Sequence, residues 1–143
     1  MTILYLCTGN AARSQMAEAF TRALLPPGAP VEAFSAGTVP KGVHPETVAV
    51  MQEAGVEIAS ARSKGLDEIP VERIDLVVTL CGDARDACPS FPRPVRRLHW
   101  GLRDPAAVEG SPDQVRAAFR ATRDEILTCV KRFLFELATD RRT

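Results

Sequence analysis

The run Cys7-Thr8-Gly9-Asn10-Ala11-Ala12-Arg13-Ser14 constrains this chain more than any other. It follows a short apolar run of β type, Ile3-Leu4-Tyr5-Leu6, and leads into a helical pattern that begins near Ser14. A thiol, a string of small and polar residues and an arginine, set between strand and helix, make a cradle for a tetrahedral oxyanion. Backbone N–H groups of Thr8, Gly9, Asn10, Ala11 and Ala12 and of the first helical turn favour negative charge there. Arg13 adds a planar fork that binds two oxygens at once. The same field favours the thiolate of Cys7, which is the nucleophilic form, and Ser14 is placed to donate a hydrogen bond to that sulfur.

The plainer alternative makes Cys7 a buried cysteine at the end of a core strand and Arg13 the start of an exposed helix face. Against it, Gly9 and Asn10 tolerate the unusual backbone angles such a loop needs, and Ala11 and Ala12 leave room for an anion. The segment resembles the phosphate-binding loop of the low-molecular-weight protein tyrosine phosphatases and of the arsenate reductases built on that fold. The loop alone does not choose between them.

Downstream, strand and helix patterns alternate. Thr2–Leu6 reads as a buried strand and Ser14–Leu25 as a helix stopped by Pro26-Pro27-Gly28. Val31–Ser35 reads as a second strand, and Pro45–Ala54 as a helix with proline at its first position and Gly55 beyond its end. Ile58–Lys64 is irregular, with a helical turn expected over Leu66–Ile69. Ile74–Leu80 gives a third strand and Cys81–Pro94 a loop-rich segment with prolines at 89, 92 and 94. Val95–Trp100 gives a fourth strand, followed by a long helix from about Pro112 to Ala138 with Val115, Phe119, Ile126, Val130, Phe133, Leu134 and Leu137 on its apolar stripe. This order predicts an α/β fold: one domain over residues 1–143, a four-stranded parallel sheet with helices on both faces, like that of the low-molecular-weight phosphatases. Ligands of such sheets bind at the carboxyl ends of the strands. The Cys7 loop, Cys81 and Asp104 all follow strands and are expected at one edge.

A formal net charge of zero argues against a nucleic-acid or membrane surface. The apolar N-terminal run is too short for a secretory signal, and no stretch approaches the roughly 18 apolar residues of a membrane span. A cytoplasmic monomer is the expectation. Four cysteines in a reducing compartment point to catalysis, metal binding or burial rather than to a static disulfide framework.

When a thiolate attacks a tetrahedral oxyanion, the departing oxygen needs a proton. Asp104, stiffened by Pro105 on the loop after the fourth strand, is the candidate donor, although Asp-Pro is also a common turn or helix cap. Both families that share the loop carry Asp-Pro at this place. The phosphatases usually follow it with tyrosine, where this chain has Ala106 and its sole tyrosine is Tyr5.

Hydrolysis of a phosphate ester needs neither Cys81 nor Cys88. A reduction draws both its electrons from thiols, and three cysteines allow a relay. The segments Val77-Val78-Thr79-Leu80-Cys81-Gly82-Asp83-Ala84, Cys88-Pro89 and His99-Trp100-Gly101 before Asp104-Pro105-Ala106 look like the thioredoxin-coupled arsenate reductases. The likeness runs from the N-terminus to about residue 138. It implies that Cys7, Cys81 and Cys88 carry the redox steps, through a Cys7–Cys81 and then a Cys81–Cys88 disulfide. It implies too that Arg13 and the loop amides bind arsenate, that phosphate or sulfate competes, that Asp104 is the acid and that thioredoxin is the reductant. Some of these reductases bind potassium through Asn10, Ser35 and an acidic side chain after the second helix. Here the matching place reads Arg62-Ser63-Lys64, so potassium dependence is not expected. No zinc-ligand spacing appears, and neither cofactor nor metal is expected.

Cys129 falls beside the apolar stripe of the last helix and is assigned to packing. His44 is expected to cap a helix, His99 to pack near the fourth strand and Trp100 to support the acid loop. A phosphatase that hydrolyses phosphate monoesters is the competing reading, and a non-catalytic oxyanion sensor is a third.

Overall fold

The computed structural model describes residues 1–86, 88 and 90–140; Pro89, assigned above to the loop after the third strand, lies outside them. Four strands form the sheet: β1 (Thr2–Cys7), β2 (Glu32–Gly37), β3 (Leu76–Thr79) and β4 (Arg96–His99). All neighbours are parallel, in the order β2-β1-β3-β4. The chain steps from β1 to β2 on one side and then returns to place β3 on the other. That reversal opens a crevice at the carboxyl ends of β1 and β3, where Cys7 and Cys81 lie. Ile3, Leu4, Tyr5 and Leu6 are all 0% exposed. Successive side chains of a strand point to opposite faces, so both faces of β1 are covered.

The helices are α1 (Arg13–Leu24), α2 (Pro45–Glu53), α3 (Gly82–Asp86) and α4 (Pro112–Asp140). Helix α1 lies over the Tyr5 face, where the Tyr5 hydroxyl and Thr21 Oγ1 are hydrogen-bonded at 2.7 Å; burial pushes the Tyr5 phenol up to about 12. Helix α4 packs on α1 and α2 and buries Phe119, Ile126 and Val130, worth about 1.5–3 kcal/mol for each large apolar side chain. Its other expected apolar positions, Val115, Phe133, Leu134 and Leu137, are half-buried.

Arginines on α4 clamp α2. Arg116 pairs with Glu46, while Arg120 (2.6 Å) and Arg123 (2.9 Å) both reach Glu53. The hydrogen bond from Arg120 holds the Glu53 carboxyl down at about 2, so this clamp stays charged near neutral pH. His44 caps α2 as expected, with Nδ1 accepting the Glu46 N–H, and its ring packs 4.7 Å from that of Phe119. The clamp therefore fixes the loop before α2, and that loop holds the Cys7 cradle.

The segment from Cys81 to Pro94, read as loop-rich, also holds α3 at Gly82–Asp86. A helix of five residues is too short to print a periodicity in the sequence. Short 3-10 turns occupy Leu66–Glu68, as expected, and Val71–Arg73, which was not.

Candidate active site

The cradle is built by drawing its carbonyls outward. Val39 N–H donates to Thr8 O (2.8 Å), Lys41 N–H to Gly9 O (3.0 Å) and His44 N–H to Ala11 O (3.0 Å). Ser63 Oγ donates to Asn10 O (2.6 Å), and Thr47 Oγ1 adds a second bond to Ala11 O (2.8 Å). Across a planar trans peptide the carbonyl of one residue and the N–H of the next point opposite ways. With the carbonyls of residues 8–11 engaged outside, the N–H groups of residues 9–12 face inward. Helix α1 adds its own N-terminus, which has no side-chain cap and no acid in its first turn; its unpaired N–H groups favour an anion.

Two positions make this curvature possible. Asn10 sits at φ 47, in the left-handed region that asparagine tolerates better than most residues. Its fully buried side chain is held from both ends: Nδ2 donates to Ser14 Oγ (2.7 Å), and Oδ1 accepts from Gln15 Nε2 (2.8 Å) and Lys64 N (2.9 Å). Gly37, paired with Cys7 across the sheet, lets the loop come close: a Cβ there would lie 2.6 Å from Thr8 O and 2.9 Å from Asn10 N.

Cys7 is 2% exposed, and its Sγ lies 2.8 Å from Ser14 Oγ. Because Asn10 already donates to that hydroxyl, the Ser14 hydrogen is free to point at the sulfur. Arg13 is buried rather than exposed. Its Nη1 donates to Leu102 O (2.9 Å) and Leu80 O (3.5 Å), and Nη2 lies 3.8 Å from Asp104 Oδ2. One guanidinium thus ties the segments that follow β3 and β4 to the cradle.

Asp104 caps a turn, one of the two roles weighed for it, and stands at the cavity where the other would be exercised. Oδ1 accepts from Ala106 N (3.0 Å) and caps the turn Pro105–Ala107, while the carboxylate lines the same cavity as Cys7. That cavity, about 600 Å³, is also lined by Thr8, Gly9, Ala11, Ala12, Arg13 and Cys81. Cys81 is buried, with its sulfur 3.3 Å from both Thr8 Oγ1 and the Ala84 N–H, which donates to it. Cys88 is not among the lining residues. It lies beyond α3, half-buried, against Arg97 of β4.

The Cys129 thiol is half-buried on α4, and that burial pushes its pKa up, away from a nucleophile's range. His99 lies on β4, exposed but with Nδ1 2.8 Å from Thr79 Oγ1. Trp100 packs between Tyr5 and Phe133, at ring distances of 5.8 Å and 6.2 Å, which is a structural placement. The sequence reading missed Gln15, Thr47 and Ser63, which hold the cradle from outside. A buried glutamine inside an apolar helical pattern is the one signal that would have found the first of them.

The residues at the potassium position do not suit a cation. Lys64 Nζ lies 3.8 Å from Oε1 of the buried Glu18 and 3.2 Å from Arg62 O, so an ammonium already faces the acid. Ser35 Oγ, two residues before Gly37, is buried without a hydrogen-bond partner among the described residues. Potassium at high millimolar concentration should therefore leave the melting temperature and turnover unchanged against a sodium control. A rise specific to potassium would contradict this. Among the described residues no group of three or more His, Cys, Asp or Glu side chains is gathered as metal ligands, and no helix is long and apolar enough to cross a membrane.

The low molecular weight phosphotyrosine protein phosphatase family matches residues 2–143. An arsenate reductase of Bacillus licheniformis is 46% identical over 132 residues, 92% of this chain and 94% of that protein. Among solved structures, an arsenate reductase in its phosphate-binding state is similar at a TM-score of 0.74 and 26% identity, covering 94% of this chain and 97% of that one. A YwlE arginine phosphatase with a phosphorylated active-site serine is similar at a TM-score of 0.79 and 25% identity, covering 99% of both chains.

Proposed function

The chain belongs to the low molecular weight phosphotyrosine protein phosphatase family, and from that membership we propose that it is an arsenate reductase working by a three-cysteine relay. Relatives 46% and 44% identical to this chain, matched over 94% and 93% of their own length, are arsenate reductases. The observation that carries the reading is a second thiol, Cys81, in the same cavity as the Cys7 cradle. A hydrolase has no use for it.

Arsenate enters the cradle of inward N–H groups and the Arg13 fork. The Cys7 thiolate attacks arsenic, an As–S bond forms, and hydroxide leaves with a proton from Asp104. Cys81 then attacks Cys7 Sγ. The S–S bond forms, the As–S bond breaks, and its electron pair stays on arsenic, which departs as arsenite. Cys88 next attacks Cys81 and frees Cys7 as a thiolate. The Cys81–Cys88 disulfide that remains is reduced from outside, with thioredoxin as the proposed donor. Six residues separate these two cysteines in sequence and α3 lies between them, so forming this bond requires α3 to unwind. We place the protein in the cytoplasm as a monomer, where thiols are kept reduced.

Phosphate fits the same cradle, so weak hydrolysis of aryl phosphates accompanies the reductase activity. The Asp104→Asn variant tests the acid. Asparagine keeps the oxygen that caps the Pro105–Ala107 turn but has no acidic proton. Arsenite release should fall by about a hundredfold or more while arsenate binding persists. An unchanged rate would remove Asp104 from the mechanism.

A further inference from the structure

The cradle must draw a multiply charged anion out of water, yet most of the charge around it is offset. The Asp, Glu, Lys and Arg side chains that line the cavity are Arg13, Lys41 and Asp104. Arg13 Nη2 lies 3.8 Å from Asp104 Oδ2, so at a distance these two charges largely cancel. The thiolate that attacks arsenic adds a negative charge of its own. The chain's formal net charge is zero, so the molecule as a whole exerts no pull on an anion. That leaves Lys41, whose side chain has neither an ion pair nor a hydrogen bond among the described residues.

Lys41 is held in place by its backbone and its stem rather than by its charge. Its N–H donates to Gly9 O at 3.0 Å, and Gly42, at φ 92, turns the chain directly after it. Cβ and Cγ of Lys41 lie 3.6 Å, and Cδ 3.5 Å, from the point where a Cβ on Gly9 would stand. The apolar stem therefore runs along the cradle's backbone at Gly9. The residue is exposed and lines the cavity, so the charged head stays in water at its mouth.

We propose that Lys41 is the residue that recruits the oxyanion, an unpaired cation at the mouth that raises affinity and takes no part in the chemical step. The proposal deepens the function proposed above and rests on its cradle. A charge that attracts the bound substrate and the transition state alike lowers KM and leaves kcat unchanged. Its effect also fades as salt screens the exposed head.

Phosphate binding by the reduced full-length protein, measured by titration calorimetry at low and at high sodium chloride, tests this in wild type, Lys41→Met, Lys41→Arg and Lys131→Gln. Methionine keeps an unbranched stem over Gly9 without the charge. At low salt Lys41→Met should bind phosphate about fivefold more weakly than wild type, and near 0.5 M salt the gap should close to within about twofold. Lys41→Arg should bind like the wild type. Lys131→Gln removes the same charge from an exposed position on α4 that does not line the cavity, and should change nothing. In arsenate turnover Lys41→Met should raise KM by the same factor and leave kcat unchanged. Equal affinities of wild type and Lys41→Met at low salt would overturn the proposal. So would a loss that is the same at every salt concentration, or a fall in kcat, either of which makes Lys41 a packing residue on Gly9. Phosphate binding with the expected salt pattern but no arsenate reduction would sink the reductase reading and leave the role of Lys41 standing.

Discussion

Replacing Cys7 by serine is expected to abolish arsenate reduction completely and to cut aryl phosphate hydrolysis by about four orders of magnitude or more, on the scale of other lost nucleophiles. The two losses have different causes. A serine oxygen is a far weaker nucleophile than a thiolate at neutral pH, which slows the shared first step. It also cannot enter a disulfide, so the electrons that reduce arsenic have no source. The fold should be unaffected: Cys7 is buried at the end of β1, serine is nearly isosteric, and Ser14 remains as its hydrogen-bond partner. Anion binding should also survive, because the carbonyls that shape the cradle are held by residues other than Cys7. Arsenate or phosphate should still raise the melting temperature of the variant by mass action. A variant that kept measurable turnover would show that the cradle only binds and that the chemistry lies elsewhere.

Cys81→Ser is expected to separate the two activities. Aryl phosphate hydrolysis uses the cradle, Cys7 and Asp104 and should stay within about twofold of wild type, since Cys81 stands at the cavity wall with Thr8 and Ala84 as its partners. Arsenite production should fall to background even for a single turnover. Without a second thiol nothing attacks Cys7 Sγ, and the arsenic stays bonded to it until water reverses the step. Mass spectrometry of the variant mixed with arsenate, set beside assays of both activities, checks this. Equal loss of the two activities would make Cys81 a structural residue of the cradle rather than a redox one.

How much of this was legible beforehand follows from how local each feature is. The Cys7 cradle is contiguous in sequence, so its thiol, its permissive Asn10 and its arginine could be read together. The parallel sheet followed from alternating patterns, and the convergence of Cys7, Cys81 and Asp104 on one cavity followed from the rule about strand ends. What escaped was non-local. That Arg13 would be buried, donating to Leu80 O and Leu102 O, depends on two loops that only the sheet brings together. Thr47 and Ser63 support the cradle from segments far along the chain, and their types are common in any loop. The Arg97–Cys88 contact joins an edge strand to the segment beyond α3, and arginines are too frequent here for one of them to stand out. The short helix α3 left no periodic trace at all.

Repeated turnover by this chain turns on whether Cys88 completes a relay. Arsenate-dependent NADPH oxidation, with thioredoxin and its reductase, in wild type and in Cys88→Ser measures that directly. Steady turnover is predicted for the wild type. The variant should release one equivalent of arsenite per chain and then stop with Cys7 and Cys81 joined, its aryl phosphatase activity lost at that point and restored by a strong reductant. Equal steady turnover in both proteins, or none in either with phosphatase activity intact, would contradict the relay.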